Sequence, residues 1–137
     1  MINDTTAGRW LKRVIWLGIF ANLALALPTL AAPDFMMDRV GLPTATPLLW
    51  PRFAGLLLII LSVFYTPAAT DLDRYRIVAW FAIASRAACV LFFMPQATYR
   101  MLGLFDLVFL VPELLLLLVA INGATGTLTA KPAGARA

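Results

Sequence analysis

Four stretches of mostly apolar residues alternate with short polar or proline-containing stretches along the chain. Each apolar stretch approaches the ~20 residues that an α-helix needs to cross the ~30 Å hydrocarbon core of a bilayer. Because lipid offers no hydrogen-bond partner to an exposed backbone, a spanning segment of this length must be helical. The pattern therefore predicts four membrane-spanning helices, at about residues 14–31, 48–66, 77–94 and 102–121.

This pattern also predicts the fold class. We expect an all-α fold, a four-helix transmembrane bundle with antiparallel up-down topology. One integral membrane domain should cover residues 1–137, since the length suits a single domain. Residues 122–137, rich in Gly, Ala and Thr, are expected to form a frayed tail.

The polar connections contain residues that interrupt or start helices. Pro33, Pro43 and Pro47 should break the helix in the first connection, whereas Pro51 is compatible with the first turn of the second span. Residues 70–73, Thr-Asp-Leu-Asp, resemble a capping box. This motif predicts a helix start just before the third span.

Composition supports a membrane location. The chain is 62% hydrophobic and 13% charged, whereas soluble domains carry roughly 25% charged residues. The formal net charge is +4, but the basic residues are spread over span ends and connections. A nucleic-acid binding protein would cluster them on one face, so we expect contact with anionic lipid headgroups and no nucleic-acid partner.

The distribution of lysine and arginine indicates the orientation of the chain. Seven of these residues flank one predicted side, namely Arg9, Lys12, Arg13, Arg74, Arg76, Lys131 and Arg136, and three flank the other, namely Arg39, Arg52 and Arg100. The positive-inside rule then predicts that both termini are cytoplasmic, in a bacterial-type inner membrane. Aromatic residues near both predicted interfaces fit this orientation, with Trp10, Trp16, Tyr65 and Trp80 inside and Trp50 and Tyr99 outside.

A secretory signal peptide is the alternative interpretation of the first span. Basic residues precede an apolar stretch, and Thr29-Leu30-Ala31 imitates a cleavage site with small residues. Cleavage there would leave three spans and an outside N-terminus. Retention of the helix is favoured because the four-span arrangement gives a consistent charge balance on every connection.

Four ionisable residues lie at membrane depth, where each charge costs roughly 2.5–3.5 kcal/mol at the bilayer centre and should face protein or water. At ~1.5 Å rise per residue, Arg86 and Glu113 fall within about 2 Å of the midplane. Arg52 and Asp106 both lie roughly 8–9 Å further outward. Asp106 and Glu113 share one helix face, so the matched depths predict two ion pairs, Arg86 with Glu113 and Arg52 with Asp106.

Three interpretations of these charges stay open. They form structural ion pairs that fix helix register, they line a polar cavity for a headgroup, a quinone or a proton, or some of them snorkel to an interface. A structural network would be fully paired without a cavity, whereas a ligand site would leave a polar void or an unpaired carboxylate. Asn22 and Ser62 are expected to donate hydrogen bonds between helices.

The composition excludes several kinds of catalytic site. The chain has no histidine, which excludes histidine-ligated haem, a histidine-containing zinc site and a Ser-His-Asp triad. Its single cysteine, Cys89, cannot form an intrachain disulfide. We therefore expect neither a metal nor a cofactor.

The layout resembles a known kind of protein. The short inner connection over residues 71–76, Asp-Leu-Asp-Arg-Tyr-Arg, and Arg52 opening the second span are similar to small bacterial four-helix membrane proteins of the DoxX-like kind. BphX-like proteins, which are associated with aromatic-degradation gene clusters, are another family of about this size that the chain resembles. DoxX-like membership would imply a four-helix bundle and sometimes a role beside quinone-linked oxidoreductases.

These observations lead to two hypotheses about function. The first is a non-catalytic accessory or assembly subunit of a membrane complex, which contacts membrane lipids and either a partner membrane protein or further copies of itself. The alternative is a binding or transport site for a small molecule, a quinone or a proton, built on Arg86, Asp106 and Glu113.

Overall fold

A computed structural model describes the backbone of residues 1–129 and the side chains of residues 1–125. Five α-helices follow one another, α1 (Thr6–Ala31), α2 (Pro33–Arg39), α3 (Leu49–Thr70), α4 (Arg76–Phe93) and α5 (Arg100–Thr129), with short 3-10 helices at Ile2–Asp4 and Ala97–Tyr99. The described part of the chain contains no strand. Four helices, α1, α3, α4 and α5, are long and apolar enough to cross a membrane. This confirms the prediction of four apolar helices of spanning length, and the chain is a small multi-pass membrane protein.

Two helices are longer than the sequence predicts. α1 begins at Thr6 because the Thr5 hydroxyl accepts the Gly8 N–H, which caps the helix ahead of its basic first turns. α5 continues to Thr129, and it contacts the 3-10 helix at Ile2–Asp4. Residues 122–129, which the sequence assigns to the tail, are therefore helical. The rest of that predicted tail, residues 130–137, lies outside the described residues.

The proline-rich first connection contains an unexpected short helix. α2 begins at Pro33, whose missing N–H costs nothing at the first position of a helix. Gly41 then adopts a positive φ of 71°, which ends this segment in a turn. As the sequence predicts, Pro51 lies in the first turn of α3.

The predicted capping box is wrong. Thr70 is the last residue of α3, and its hydroxyl donates to the Pro67 carbonyl within the same helix. α4 begins after Tyr75, without a capping side chain. The two aspartates of the motif instead bind the N-terminal segment, a contact between residues some 70 positions apart.

This contact holds the start of the chain against the connection between α3 and α4. The Asp73 carboxylate accepts the backbone N–H groups of Ile2 (2.9 Å) and Asn3 (3.1 Å). The Asn3 side chain donates to Asp71 (2.8 Å) and accepts the N–H of the fully buried Leu72 (3.0 Å). We call these five residues the N-terminal clamp. It gives the polar groups of two irregular segments partners at the end of the helices.

Each of the four long helices packs against two of the others. α1 contacts α3 and α5, and α4 contacts the same two helices, so α3 and α5 lie on opposite sides of α1 and α4. Gly55 permits the close approach of α3 to α1, since a Cβ there would lie 2.9 Å from the Ala26 carbonyl oxygen. The buried apolar side chains concentrate toward the end of the helices that carries the N-terminal clamp, and include Leu11, Ile15, Tyr65, Ala68, Leu72, Ala82 and Leu117.

The outward faces of the four long helices are apolar. Exposed large side chains occur on every one of them, for example Phe20 and Leu27 on α1, Ile60 and Val63 on α3, Phe81 and Leu91 on α4, and Val108 and Leu115 on α5. A water-soluble protein would cover such faces with charged residues. Lipid contact explains this exposure.

Replacing Asn3 with alanine should destabilise the protein through the clamp. The side-chain hydrogen bond from Asn3, followed by the backbone N–H of Arg74, holds the pKa of Asp71 below its usual range. A depressed folded-state pKa adds stability that is present above the unfolded value, near pH 4, and is lost as the pH falls through the folded value. The melting temperature of Asn3→Ala in detergent should therefore lie furthest below wild type at neutral pH.

The matched control for this prediction is Asp4→Ala, because Asp4 is an exposed residue of the same 3-10 helix with no contact to the clamp. Its melting temperature should stay near wild type at every pH. A difference between Asn3→Ala and wild type that does not shrink in acid would contradict the assigned role of Asp71.

Candidate functional site

Three ionisable side chains meet between α4 and α5. Arg86 lies in the middle of α4, and Asp106 and Glu113 lie on one face of α5. A short connection joins these two helices, so they pack side by side. Phe109 occupies the same face of α5 between the two carboxylates. We call Arg86, Asp106 and Glu113 the arginine–carboxylate cluster.

The guanidinium of Arg86 binds both carboxylates. Its Nε lies 3.2 Å and 3.1 Å from the two carboxylate oxygens of Glu113, and its Nη1 lies 3.1 Å from Asp106 Oδ1. The side chains of Arg86 and Glu113 are 3% and 1% exposed, whereas that of Asp106 is 17% exposed. The guanidinium carbon also lies 4.8 Å from the centre of the Phe109 ring, which adds a cation–π contact.

α1 closes the cluster from a third direction. Gly18 faces Arg86 so closely that a Cβ at this position would overlap Arg86 Nη2 and lie 3.4 Å from Glu113 Oε1. Only a residue without a side chain leaves room for the guanidinium here. The cluster therefore depends on three helices, although all of its charges come from two.

The pairing differs from the sequence prediction in one respect. Arg86 and Glu113 do form the expected ion pair, but Asp106 binds the same arginine rather than Arg52. Among the described residues Arg52 makes no ion pair. Arg52 lies on α3, which is across the packing from α5, so equal depth does not bring it to Asp106.

The predicted roles of two buried polar residues also change. The Ser62 hydroxyl donates to the Leu58 carbonyl of its own helix, so it does not bridge helices. Asn22 is 3% exposed and lies one turn from Gly18 on α1, yet its amide forms no hydrogen bond with any described residue. Arg86 Nη2 likewise has none. Among the described residues, every side-chain nitrogen or oxygen atom that is fully shielded from solvent has a hydrogen-bond partner. The Asn22 amide and Arg86 Nη2 have no such partner, so neither is fully shielded. Both groups therefore border space that a water-sized molecule can enter.

A second polar contact between helices was missed by the sequence interpretation. Tyr65 of α3 is buried, and its hydroxyl is hydrogen-bonded to Ser85 of α4. Ser85 itself donates to the Ala82 carbonyl, 2.9 Å away, so Tyr65 is the donor to Ser85. The available signal was the position of Ser85 beside Arg86, where a hydroxyl at membrane depth also needs a partner.

The chemistry available to the cluster follows from its charges. One guanidinium faces two carboxylates, so a fully ionised cluster carries one surplus negative charge. Cys89, one turn from Arg86 on α4, is half-buried beside Asp106. Within the described residues no group of three His, Cys, Asp or Glu side chains could hold a metal ion. Two surface grooves lie at opposite ends of α5, and the cluster lines neither of them.

Comparisons of this chain with protein-family models, with curated proteins and with solved structures return no match. The resemblance to DoxX-like and BphX-like proteins therefore stays a prediction. Function has to be argued from the residues of the cluster and from the surface of the helices.

Arg86 and Glu113 should be energetically coupled. Removing either charge leaves the other buried without its main partner, so Arg86→Leu and Glu113→Leu should each cost about 3–5 kcal/mol. The double variant should cost less than the sum of the two, as a double-mutant cycle of unfolding free energies in detergent would measure. Arg52→Leu is the matched control and should have a small effect. Strictly additive losses would show that the two residues do not interact.

Gly18→Ala should destabilise the protein by about 1–3 kcal/mol, because the added methyl group displaces the guanidinium from its two carboxylates. Gly123→Ala is the control, since among the described residues the nearest atom to a Cβ there is the Thr5 methyl group, 3.9 Å away. Alanine is also the better helix former, so this control should be neutral or stabilising. In an Arg86→Leu background the cost of Gly18→Ala should fall sharply, and an unchanged cost would refute the steric explanation.

Proposed function

We propose that this chain is a non-catalytic accessory or assembly subunit of a membrane complex. One observation carries the proposal: the ions buried among the helices bind one another, with Arg86 held between Glu113 and Asp106. Such a network sets the relative position of α4 and α5, and Gly18 brings α1 against it. A rigid helical scaffold with apolar outer faces is what an assembly subunit offers a partner.

We further propose a four-helix antiparallel arrangement in a bacterial-type inner membrane, with both termini in the cytoplasm. Contacts at both ends of the first helix pair support it, because Asn3 binds Asp71 at the end of α3 whereas Ala26 meets Gly55 near the start of α3. The same contacts bring the basic residues around the start of α1 to the end of the helices that carries Arg74 and Arg76. The positive-inside rule assigns this basic end to the cytoplasm.

The partner is a membrane protein or another copy of this chain. Exposed apolar side chains cover the outer faces of all four long helices, so either partner can dock without burying an uncompensated charge. The resemblance to DoxX-like proteins supports the same role, since members of that kind sometimes accompany quinone-linked oxidoreductases.

A second candidate function is a binding site for a proton or a small polar molecule at the cluster. The observation that favours it is the incomplete pairing toward α1, where Arg86 Nη2 and the Asn22 amide have no partner among the described residues. The surplus carboxylate of the cluster is the group that would accept a proton or a cationic ligand. Asp106 is the most exposed member of the cluster.

Purification of a tagged chain in mild detergent distinguishes these two functions. Wild type and the Arg86→Leu/Glu113→Leu double variant should both retain the same co-purifying membrane protein if the cluster is structural. A double variant that is stable and keeps the partner but loses activity in a cellular assay would support the binding site instead. If the wild-type chain purifies as a monomer without any other protein, the accessory role is wrong.

Reporter fusions test the orientation. Fusions near residues 40, 70, 98 and 130 should report outside, inside, outside and inside in that order, because seven basic residues flank the inner side and three the outer. An export signal from the fusion near residue 70 would reverse the topology or break it.

A further inference from the structure

A groove with two arginines at its rim opens where α4 begins. It is lined by Asp73, Arg74, Arg76, Ile77, Trp80 and Ile121. Arg74 and Arg76 are both exposed, and neither forms an ion pair with any described residue. The arginine–carboxylate cluster does not contribute to this groove, which thus has to be explained separately.

The acidic residue in the lining, Asp73, forms no ion pair with either arginine. Both carboxylate oxygens of Asp73 accept backbone N–H groups of the N-terminal clamp, from Ile2 and Asn3. The rim of the groove is left with two guanidinium groups within three residues of each other, a favourable position for an anion that can accept several hydrogen bonds.

Below the arginines the groove becomes apolar. Ile77 is 64% exposed and Trp80, one turn further along α4, is 36% exposed, while Ile121 of α5 forms the opposite wall. Arg76 is the first residue of an 18-residue spanning helix, which puts the rim at the level of lipid phosphates and the apolar wall at the level of acyl chains. Tryptophan is enriched at this level because its ring is apolar and its N–H is polar.

We infer that this groove binds one anionic phospholipid, with the phosphate on Arg74 and Arg76 and an acyl chain along Ile77, Trp80 and Ile121. Two features favour a lipid over a protein segment. The positive rim complements an anionic phosphate, and the rim lies at the level of lipid phosphates while the apolar wall lies at the level of acyl chains. Basic sites between membrane helices bind such headgroups in general. The inference depends on the helices spanning a membrane, but not on the proposed accessory role.

The other groove lacks this combination. It runs along the start of α5 and is lined almost entirely by apolar residues, with Arg39 as its single charged residue. Arg39 is stacked on Phe35, with its guanidinium carbon 5.1 Å from the ring centre. Arg74 is stacked on Tyr75 in the same way, at 5.3 Å. The difference between the two grooves is the second arginine, Arg76, at the start of α4. We therefore assign the specific lipid to the groove at the start of α4.

Native mass spectrometry of the full chain in detergent tests this site. Dioleoyl-phosphatidylglycerol, dioleoyl-phosphatidylcholine and glycerol phosphate are added in separate titrations. Wild type should retain one phosphatidylglycerol with about ten- to thirtyfold preference over phosphatidylcholine, the effect expected for two arginines near a phosphate. Glycerol phosphate should not compete at equal concentration, since it lacks the acyl chains. Competition by glycerol phosphate would mean a free-phosphate site and would overturn the lipid assignment.

Two double variants with the same loss of charge separate a specific site from diffuse attraction. Arg74→Gln/Arg76→Gln should abolish the preference for phosphatidylglycerol. Arg9→Gln/Arg13→Gln should leave it intact, because these exposed arginines belong to the same end of the protein but lie on α1 outside the groove. Equal losses in the two variants would show general electrostatic attraction and refute the site.

A third variant guards against misfolding of the arginine variants. Ile77→Asp keeps both arginines and introduces an acid in the first turn of α4, where acidic residues are favourable. The new carboxylate should pair with the arginines and displace the phosphate, so lipid retention should fall while the melting temperature is maintained. Undiminished lipid retention in this variant would contradict binding in the groove.

Discussion

The guanidinium of Arg86 imposes the strongest constraint on this structure. A charge at this depth is tolerated only when protein groups replace the water that it has lost. Glu113 and Asp106 provide this replacement from positions two turns apart on α5, and the Phe109 ring covers a face of the guanidinium. Where α1 contacts the guanidinium, the residue is Gly18, since a larger side chain would overlap Arg86. Arg86 thereby restricts which residues fit at Gly18 on α1 and at Asp106 and Glu113 on α5.

Depth along the membrane could be predicted from the sequence, whereas lateral position could not. The fixed rise of a helix and the short connection between α4 and α5 suffice to place Arg86 opposite Glu113. The same reasoning failed for Arg52, because the order of helices around the packing is set by contacts that α1 makes with both α3 and α5. Those contacts rest on small residues such as Gly18 and Gly55, whose partners a single sequence does not reveal.

Local motifs at the ends of the helices were equally ambiguous. Thr70 and Asp73 have the spacing of a capping box. A carboxylate that could accept N–H groups of its own helix can equally accept the free N–H groups of a distant segment. The N-terminal 3-10 helix supplies such groups to Asp73. Tyr65 was ambiguous in the same way. Its position near the end of a span predicted a ring at the membrane interface, yet its hydroxyl is hydrogen-bonded to Ser85 inside the helix packing.

The two polar constellations together bear on the signal-peptide interpretation of α1. The N-terminal clamp fixes the segment before α1 to the connection between α3 and α4, and Gly18 closes the cluster about halfway along α1. Cleavage after Ala31 would remove both at once. Arg86 Nη2 would then face lipid or open space at membrane depth, and Asp73 would lose the two N–H groups that bind it. A chain that lacked α1 would need a replacement helix with a small residue at the level of Arg86, and this geometric requirement favours retention of α1.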